Sequence, residues 1–195
     1  MKKIIFLILF SCVAFSGFSQ AGGSSEIKTV YFEEDENGYV QFYTNDPENT
    51  ACIITDDYPT ENTNSDGFEM EVIRINGSET VLFGMLFGAE HGFSWYAVFI
   101  GSNGDFQIYK CSSWAIIMLA EGNTKLVAGE PGKTNTIKVA QKEGKYKIYL
   151  NNNKFPLYII NNIDIKGNKI GYCVHTRGDD SFPEKYVDIR YKVKE

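Results

Sequence analysis

The sequence predicts an all-β domain made of antiparallel sheets. From residue 27 onward, short segments rich in Val, Ile, Tyr and Phe alternate with clusters of Gly, Asn, Asp and Pro. No window shows the sustained apolar period of an amphipathic helix. This alternation of strand and turn signals is typical of a β-sandwich or barrel.

The first twenty residues have the organisation of a secretory signal peptide. Lys2 and Lys3 precede an apolar stretch at 4–13, and small and polar residues follow as far as Gln20. A membrane-spanning helix needs about 20 apolar residues, roughly twice the length of this stretch. We therefore expect 1–20 to be cleaved, leaving no transmembrane segment, and the protein to be exported to the periplasm, the cell surface or the medium.

A lipoprotein signal is the alternative interpretation of this segment. Residues 9–12 would then form the lipobox, and Cys12 would carry the lipid. Phe10 is bulkier than the residue usually found at its position, and the apolar residues 13–15 continue the hydrophobic stretch instead of beginning a polar tether. The cleavable signal is the better interpretation, and both imply export.

The remainder of the chain is long enough for one domain. We expect a flexible Gly- and Ser-containing lead-in at 21–26 and the folded domain at 27–195. The formal net charge of the chain is −6, and removal of Lys2 and Lys3 would make it more acidic. Nucleic acids and anionic membranes are bound by clustered cations, so this composition argues against both as partners.

Thirteen segments are predicted to be strands, and three turns between them contain residues that tolerate a positive φ. These turns are Asn103–Gly104, Glu143–Gly144 and Asn151–Asn152. The predicted strands are 29–33, 39–44, 51–55, 67–75, 80–88, 93–100, 105–110, 114–120, 134–141, 145–150, 154–160, 168–175 and 185–193.

Alternation within the strands predicts which faces are buried. Segments 145–150 and 185–193 alternate apolar with polar residues, as strands with one wet face do. In 80–88, Leu82 and Leu86 share a face with two glycines, which would let a neighbouring element approach closely. Segment 93–100 is apolar on both faces and should be a central strand. Its outer side would be covered by a loop or form the aromatic floor of a concave surface.

The order of several short motifs resembles a known group of domains. The motifs are DGFEMEV (66–72), LFGMLFGA (82–89), WYAVFI (95–100), NGDFQIYK (103–110), NTIKV (135–139), YKIYLNN (146–152), NKIGY (168–172) and VDI (187–189). Together they resemble the concanavalin A-like jelly-roll domains of the 3-keto-disaccharide hydrolase (DUF1080) and laminin-G-like families. The resemblance spans about 27–193, fades at 111–133, and implies a two-sheet antiparallel sandwich.

No catalytic or metal motif stands out in the sequence. Glu69 and Glu71 have the alternate spacing of some jelly-roll glycosidases, but a solvated strand face explains them better. His91 and His175 are far apart, and the chain lacks a nucleophile elbow and a zinc-ligand pattern. We therefore predict no catalytic residues, no metal and no cofactor. Of the three cysteines beyond the leader, Cys52 and Cys173 lie in apolar strands, and a bridge between Cys111 and Cys173 stays open.

Aromatic side chains with polar neighbours are the remaining candidates for a binding site. Sugar binding uses aromatic faces for stacking and a few polar groups for orientation. The candidates are Trp95, Trp114, Tyr109, His91 and Asp105. The leading hypothesis is a non-catalytic module that binds carbohydrate or another extracellular partner. The alternatives are a glycoside or 3-keto-glycoside hydrolase, which the resemblance implies, and a structural or adhesive module. The oligomeric state stays open.

Overall fold

The computed structural model describes residues 30–44, 50–55, 67–91, 94–113, 115–165, 167–175 and 187–193. These residues form thirteen strands and no helix. The predicted signal peptide at 1–20, the lead-in at 21–26 and the acidic loop at 56–66 lie outside the described residues. The prediction of an all-β domain is confirmed.

Each predicted segment corresponds to one strand. The strands are β1 (Val30–Glu34), β2 (Val40–Thr44), β3 (Thr50–Thr55), β4 (Phe68–Asn76), β5 (Leu82–His91), β6 (Ser94–Gly101), β7 (Asp105–Ser112), β8 (Ala115–Asn123), β9 (Thr134–Lys142), β10 (Lys145–Leu150), β11 (Tyr158–Ile160), β12 (Lys169–His175) and β13 (Val187–Val193).

Two antiparallel sheets make up the sandwich. The seven-stranded sheet has the order β1-β2-β13-β4-β9-β10-β11, and the six-stranded sheet has the order β3-β12-β5-β6-β7-β8. Strand β11 begins later than predicted because 151–157 form a turn that Leu157 closes by donating its N–H to the Ile148 carbonyl at 2.7 Å. Strand β8 continues three residues beyond its predicted end.

The main core lies between the two sheets and uses the predicted inner faces. Alternate residues of β5, β10 and β13 point inward, while their neighbours point away. The inward-facing residues of these three strands are Phe83, Met85, Phe87, Tyr146, Ile148, Leu150, Ile189 and Tyr191. The side-chain alternation read from the sequence is therefore confirmed on both layers.

Strand β6 is the central strand that its apolar pattern predicts. It lies between β5 and β7, and every residue from Trp95 to Gly101 is buried. Its neighbour Gly84 on β5 explains how closely the two strands pack. A Cβ at Gly84 would lie 1.9 Å from the Val98 carbonyl oxygen, so only glycine fits there. The element that approaches this glycine is thus the adjacent strand.

The predicted turns have the expected backbone conformation. Gly104 (φ 91°), Glu143 (φ 54°), Gly144 (φ 71°), Asn151 (φ 52°) and Asn152 (φ 58°) all have positive φ values. Glycine and asparagine adopt the left-handed region at least cost, and Glu143 is the exception among these five residues.

The loop at 124–133 carries the chain from the six-stranded to the seven-stranded sheet. The buried side chain of Asn135 holds this loop by two hydrogen bonds to the backbone of Ala128. The Asn135 side chain accepts one from the Ala128 N–H at 2.8 Å and donates one to the Ala128 carbonyl at 3.0 Å. Asn151 donates to the Leu126 carbonyl at 2.7 Å and to the Asn135 side chain at 2.9 Å. Arg74, also buried, donates to the Gly129 carbonyl at 2.9 Å. The loop is therefore fixed although it has no regular structure.

Candidate binding surface on the six-stranded sheet

A second apolar cluster lies on the outer face of the six-stranded sheet, away from the main core. It is formed by strands β5, β6, β7 and β12, and Tyr109 packs against it. Its buried members are Leu82, Leu86, Ala89, Trp95, Ala97, Phe99, Cys111 and Cys173. Antiparallel sheets commonly leave one face to solvent, and the doubly apolar pattern of β6 is the sequence feature that indicates a second buried face.

The register of β6, β7 and β8 sets these side chains in rows across the outer face. Each row takes one residue from each strand, because facing residues of an antiparallel pair point to the same side. The rows are Trp95, Cys111 and Ile116; then Ala97, Tyr109 and Met118; then Phe99, Gln107 and Glu121. The surface therefore changes from apolar to polar along β7 and β8, and we call this area the β7–β8 surface.

Tyr109 lies at the centre of the β7–β8 surface. Its ring meets that of Phe99 edge to face, with centroids 5.8 Å apart, and its hydroxyl donates to Gln107 Oε1 at 2.9 Å. The side chain is half-buried, whereas Met118 beside it is 43% exposed. Phe99 and Gln107 thus fix the orientation of the Tyr109 ring, while part of the ring stays open to solvent.

Asp105 lies at the polar end of the same surface, in the hairpin that joins β6 to β7. Its two carboxylate oxygens accept hydrogen bonds from Asn123 and Asn103, both at 3.1 Å. Asn123 also donates to the Asn103 carbonyl at 3.1 Å. These contacts tie the turn to the end of β8 and place three polar side chains at one edge of the surface.

The other predicted site residues have different environments. Trp95 is only 8% exposed and belongs to the outer apolar cluster, so little of its ring faces solvent. His91 is the last residue of β5 and pairs with Ser94 through the backbone, while its side chain lies outside the described residues. Trp114 also lies outside the described residues. Of the five candidates, the structure therefore brings Tyr109 and Asp105 to one open surface.

Acidic side chains that a hydrolase could use lie on both sheets, with Glu69 and Glu71 together on one of them. Glu69 and Glu71 point outward from the seven-stranded sheet, where Lys138 Nζ lies 3.8 Å from Glu69 Oε2 and Tyr39 donates to Glu71 Oε2 at 3.1 Å. Asp105 belongs to the six-stranded sheet. The main core therefore separates Asp105 from Glu69 and Glu71, and each of the two glutamates is held by its own neighbour, Lys138 or Tyr39.

A charged link lies at the inner side of β6 and β7. Tyr96 donates to Asp164 Oδ1 at 2.5 Å, and Lys110 forms an ion pair with the other oxygen of Asp164. The hydrogen bonds from Lys110 and Tyr96 lower the pKa of Asp164. Burial is the largest cause that raises the pKa of Tyr96, to about 12, and the hydrogen bond to Asp164 is the second. This link fastens the segment before β12 to the six-stranded sheet.

Sequence reasoning missed the polar partners of Tyr109. Gln107 and Glu121 face each other across β7 and β8, but a bulge between Ile108 and Tyr109 shifts the register on one side of them. Alternation along β7 alone identifies Gln107 as a neighbour of Tyr109 on the same face. The position of Glu121 depends on the bulge, for which the sequence carries no signal.

Three observations concern only the described part of the chain. It contains no cluster of three or more His, Cys, Asp or Glu residues that could hold a metal ion. None of its segments is a helix with the length and apolar character needed to cross a membrane. No disulfide joins Cys111 to Cys173, and both cysteines are buried in the outer cluster.

Comparison with known proteins identifies the fold. No protein-family model and no curated protein matches the chain. Among solved structures, the carbohydrate-binding module CBM66 from Bacillus subtilis matches 85% of this chain and 91% of its own, with 13% identity and a TM-score of 0.59. A Bacillus subtilis protein of unknown function with a galectin-like fold matches 85% and 86%, with 9% identity and a TM-score of 0.52.

At these identities the similarity shows the fold alone. It confirms the predicted two-sheet jelly-roll sandwich of the concanavalin A-like type. The more specific resemblance to the 3-keto-disaccharide hydrolase and laminin-G-like families stays a prediction.

Proposed function

We propose that this chain is an exported, non-catalytic carbohydrate-binding module whose ligand stacks on Tyr109. The β7–β8 surface carries the proposal, because it combines a held, partly open aromatic ring with polar side chains in the neighbouring row. A pyranose presents an apolar C–H face and hydroxyl groups around its edge. An aromatic ring and nearby amide and carboxylate groups match both features.

The spacing of the polar groups suits a small sugar. Side chains two residues apart on one strand face stand about 7 Å apart, and neighbouring strands are about 4.8 Å apart. Gln107 and Glu121 therefore lie within reach of the edge of a sugar ring placed over Tyr109. Asp105 and Asn123 lie one row further and could contact a second sugar unit.

The hydrogen bonding of Asp105 favours a binding role over hydrolysis at this surface. Glycosidases of the common two-carboxylate type place both groups on either side of one bond, about 5–9.5 Å apart. Asp105 accepts hydrogen bonds on both carboxylate oxygens from its own hairpin and from β8. Glu121 is therefore the exposed carboxylate next to Tyr109, and its neighbour Asp105 serves to hold the turn.

A glycan array followed by calorimetry on the strongest ligands tests the binding proposal. Tyr109→Ala should weaken binding at least tenfold, equivalent to about 1.4 kcal/mol, whereas Tyr109→Phe keeps the ring and should retain most of the affinity. Tyr149→Ala is the matched control, since Tyr149 is a half-buried tyrosine on the outer face of the other sheet. Equal effects of the two alanine variants would overturn the assignment of the site.

Three further results would overturn parts of the proposal. Absence of binding to any glycan would remove the carbohydrate ligand, and release of sugar products from a bound glycan would remove the non-catalytic role. Export is tested separately by the N-terminus of the protein made in a bacterial host. Cleavage near residue 20 supports it, whereas an intact N-terminus on protein retained in the cytoplasm contradicts it.

A further inference from the structure

The chain contains three Asn–Gly pairs, and their hydrogen bonds differ in the folded protein. The pairs are Asn37–Gly38, Asn76–Gly77 and Asn103–Gly104. An asparagine followed by glycine can react with its own backbone. The nitrogen of the next residue attacks the side-chain amide carbon, and glycine has no Cβ to obstruct the ring that forms. Since all three pairs have the same chemistry, the folded structure decides which of them reacts.

In two of the pairs the attacking nitrogen is held elsewhere. The Gly38 and Gly104 N–H groups donate to carbonyls three residues earlier in their turns, at 3.1 Å and 2.9 Å. The Asn103 side chain is also engaged, because its Oδ1 accepts from the Asp105 N–H and its Nδ2 donates to the Asp105 carboxylate, both at 3.1 Å. Each of these pairs must therefore break a turn hydrogen bond before it can react.

The pair Asn76–Gly77 has the opposite arrangement. The Gly77 N–H donates to Oδ1 of Asn76 itself at 2.8 Å, so the nitrogen lies beside the side-chain amide that it would attack. Gly77 has a φ of 113°, a conformation that favours glycine. Asn76 is the last residue of β4, and both residues are partly exposed, so water can reach the ring that forms.

We propose that Asn76 is a site of spontaneous modification, at which asparagine is converted to a mixture of aspartate and isoaspartate. The Gly77 nitrogen loses its proton and bonds to Asn76 Cγ, while the bond from Cγ to the side-chain nitrogen breaks and ammonia leaves. Water then opens the resulting succinimide ring. Opening at Cγ gives aspartate, and opening at the backbone carbonyl carbon gives isoaspartate, in which the main chain runs through Cβ. The reaction needs water alone as co-reactant.

The modification loosens the loop at 124–133. Buried Arg74 donates to the Gly77 carbonyl at 2.5 Å and to the Gly129 carbonyl at 2.9 Å. The Arg74 carbonyl also accepts from the Gly132 N–H at 2.8 Å. Isoaspartate inserts an extra carbon into the main chain directly before Gly77, so the Gly77 carbonyl moves away from its position beside Arg74. The chemical state of residue 76 therefore controls how firmly this loop is held.

Peptide mapping of the full chain by mass spectrometry, after incubation in mildly alkaline buffer, tests the site. Asn76 should lose ammonia roughly fivefold faster than Asn37 and Asn103, which is the rate factor for the turn hydrogen bond that the other pairs must break. An isoaspartate methyltransferase should label the Asn76 peptide. In urea-unfolded protein the three pairs should react at similar rates. Equal rates in the folded protein, or the same order of rates in the unfolded protein, would overturn the proposal.

Hydrogen exchange before and after incubation tests the link to the loop. The Gly132 amide should exchange faster in the incubated protein, whereas the Thr124 amide, which bonds to the β6–β7 hairpin at 2.8 Å, should not change. Asn76→Gln lengthens the side chain, disfavours ring closure, and should abolish the change with time. Asn37→Gln is the matched control and should leave it in place. Unchanged exchange at Gly132 in protein that carries isoaspartate at position 76 would overturn the control of the loop.

Discussion

Three buried tyrosines allow one substitution, tyrosine to phenylalanine, to be tested in different hydrogen-bonding environments. Tyr146 and Tyr191 both lie in the main core with 0% exposure. The Tyr191 hydroxyl donates to the Cys173 carbonyl at 2.7 Å. The Tyr146 hydroxyl is buried, and no described residue gives it a hydrogen-bond partner. Removal of the hydroxyl should therefore have opposite effects at the two positions.

The expected magnitudes follow from the contacts. Burial of a hydroxyl without a partner costs about 1–3 kcal/mol, so Tyr146→Phe should stabilise the fold by about 1–2 kcal/mol. Tyr191→Phe loses one hydrogen bond and should destabilise it by about 1 kcal/mol. The ring contacts of Tyr146 with Phe87, at 5.2 Å between centroids, and with Tyr96, at 5.6 Å, are kept by phenylalanine. The change thus isolates the hydroxyl.

Urea unfolding of both variants measures the difference. The midpoint should rise for Tyr146→Phe and fall for Tyr191→Phe, with unchanged slopes, because the surface exposed on unfolding hardly changes. In a domain of this size, 1 kcal/mol corresponds to a change in Tm of about 2–4 °C. If Tyr146→Phe destabilised the protein as much as Tyr191→Phe, the inference that the Tyr146 hydroxyl is unsatisfied would be wrong. Tyr96→Phe loses one hydrogen bond to the Asp164 carboxylate and one from its backbone N–H, so it should lower the midpoint at least as much as Tyr191→Phe.

Two further predictions concern stability. Asn135→Ala should destabilise the fold by about 3 kcal/mol, because it removes three hydrogen bonds that fix the 124–133 loop and leaves both backbone groups of Ala128 without that partner. The control is Asn162→Ala, at an exposed asparagine, which should change stability by less than about 0.5 kcal/mol in urea unfolding. Equal effects of the two variants would contradict the role of Asn135 in fixing the loop. Burial raises the pKa of both Tyr96 and Tyr146 to about 12, above the ordinary value of 10, so their contribution to stability is complete below pH 10 and is lost as the pH rises towards 12. Unfolding measured at intervals above pH 9 should show this fall, and Tyr146→Phe should make it shallower; a flat profile would contradict it.

The strands could be predicted because local chemistry decides them. Runs of β-branched and aromatic residues ended by Asn–Gly or Glu–Gly turns specify hairpins independently of the rest of the chain. The two apolar faces of β6 likewise required a central strand. Contacts between distant segments could not be predicted in this way. Asp164 meets Lys110 across 54 residues of sequence, and no periodic pattern connects them.

The candidate site was predicted only in part, for a related reason. An aromatic residue on a strand can support the core or face a ligand, and the sequence pattern is the same in both cases. Trp95 lies on β6 and is a buried member of the outer apolar cluster, while Tyr109 lies on β7, next to the edge strand, and only packs against that cluster. Exposure of an aromatic ring thus depends on strand order, which connects segments far apart in the sequence.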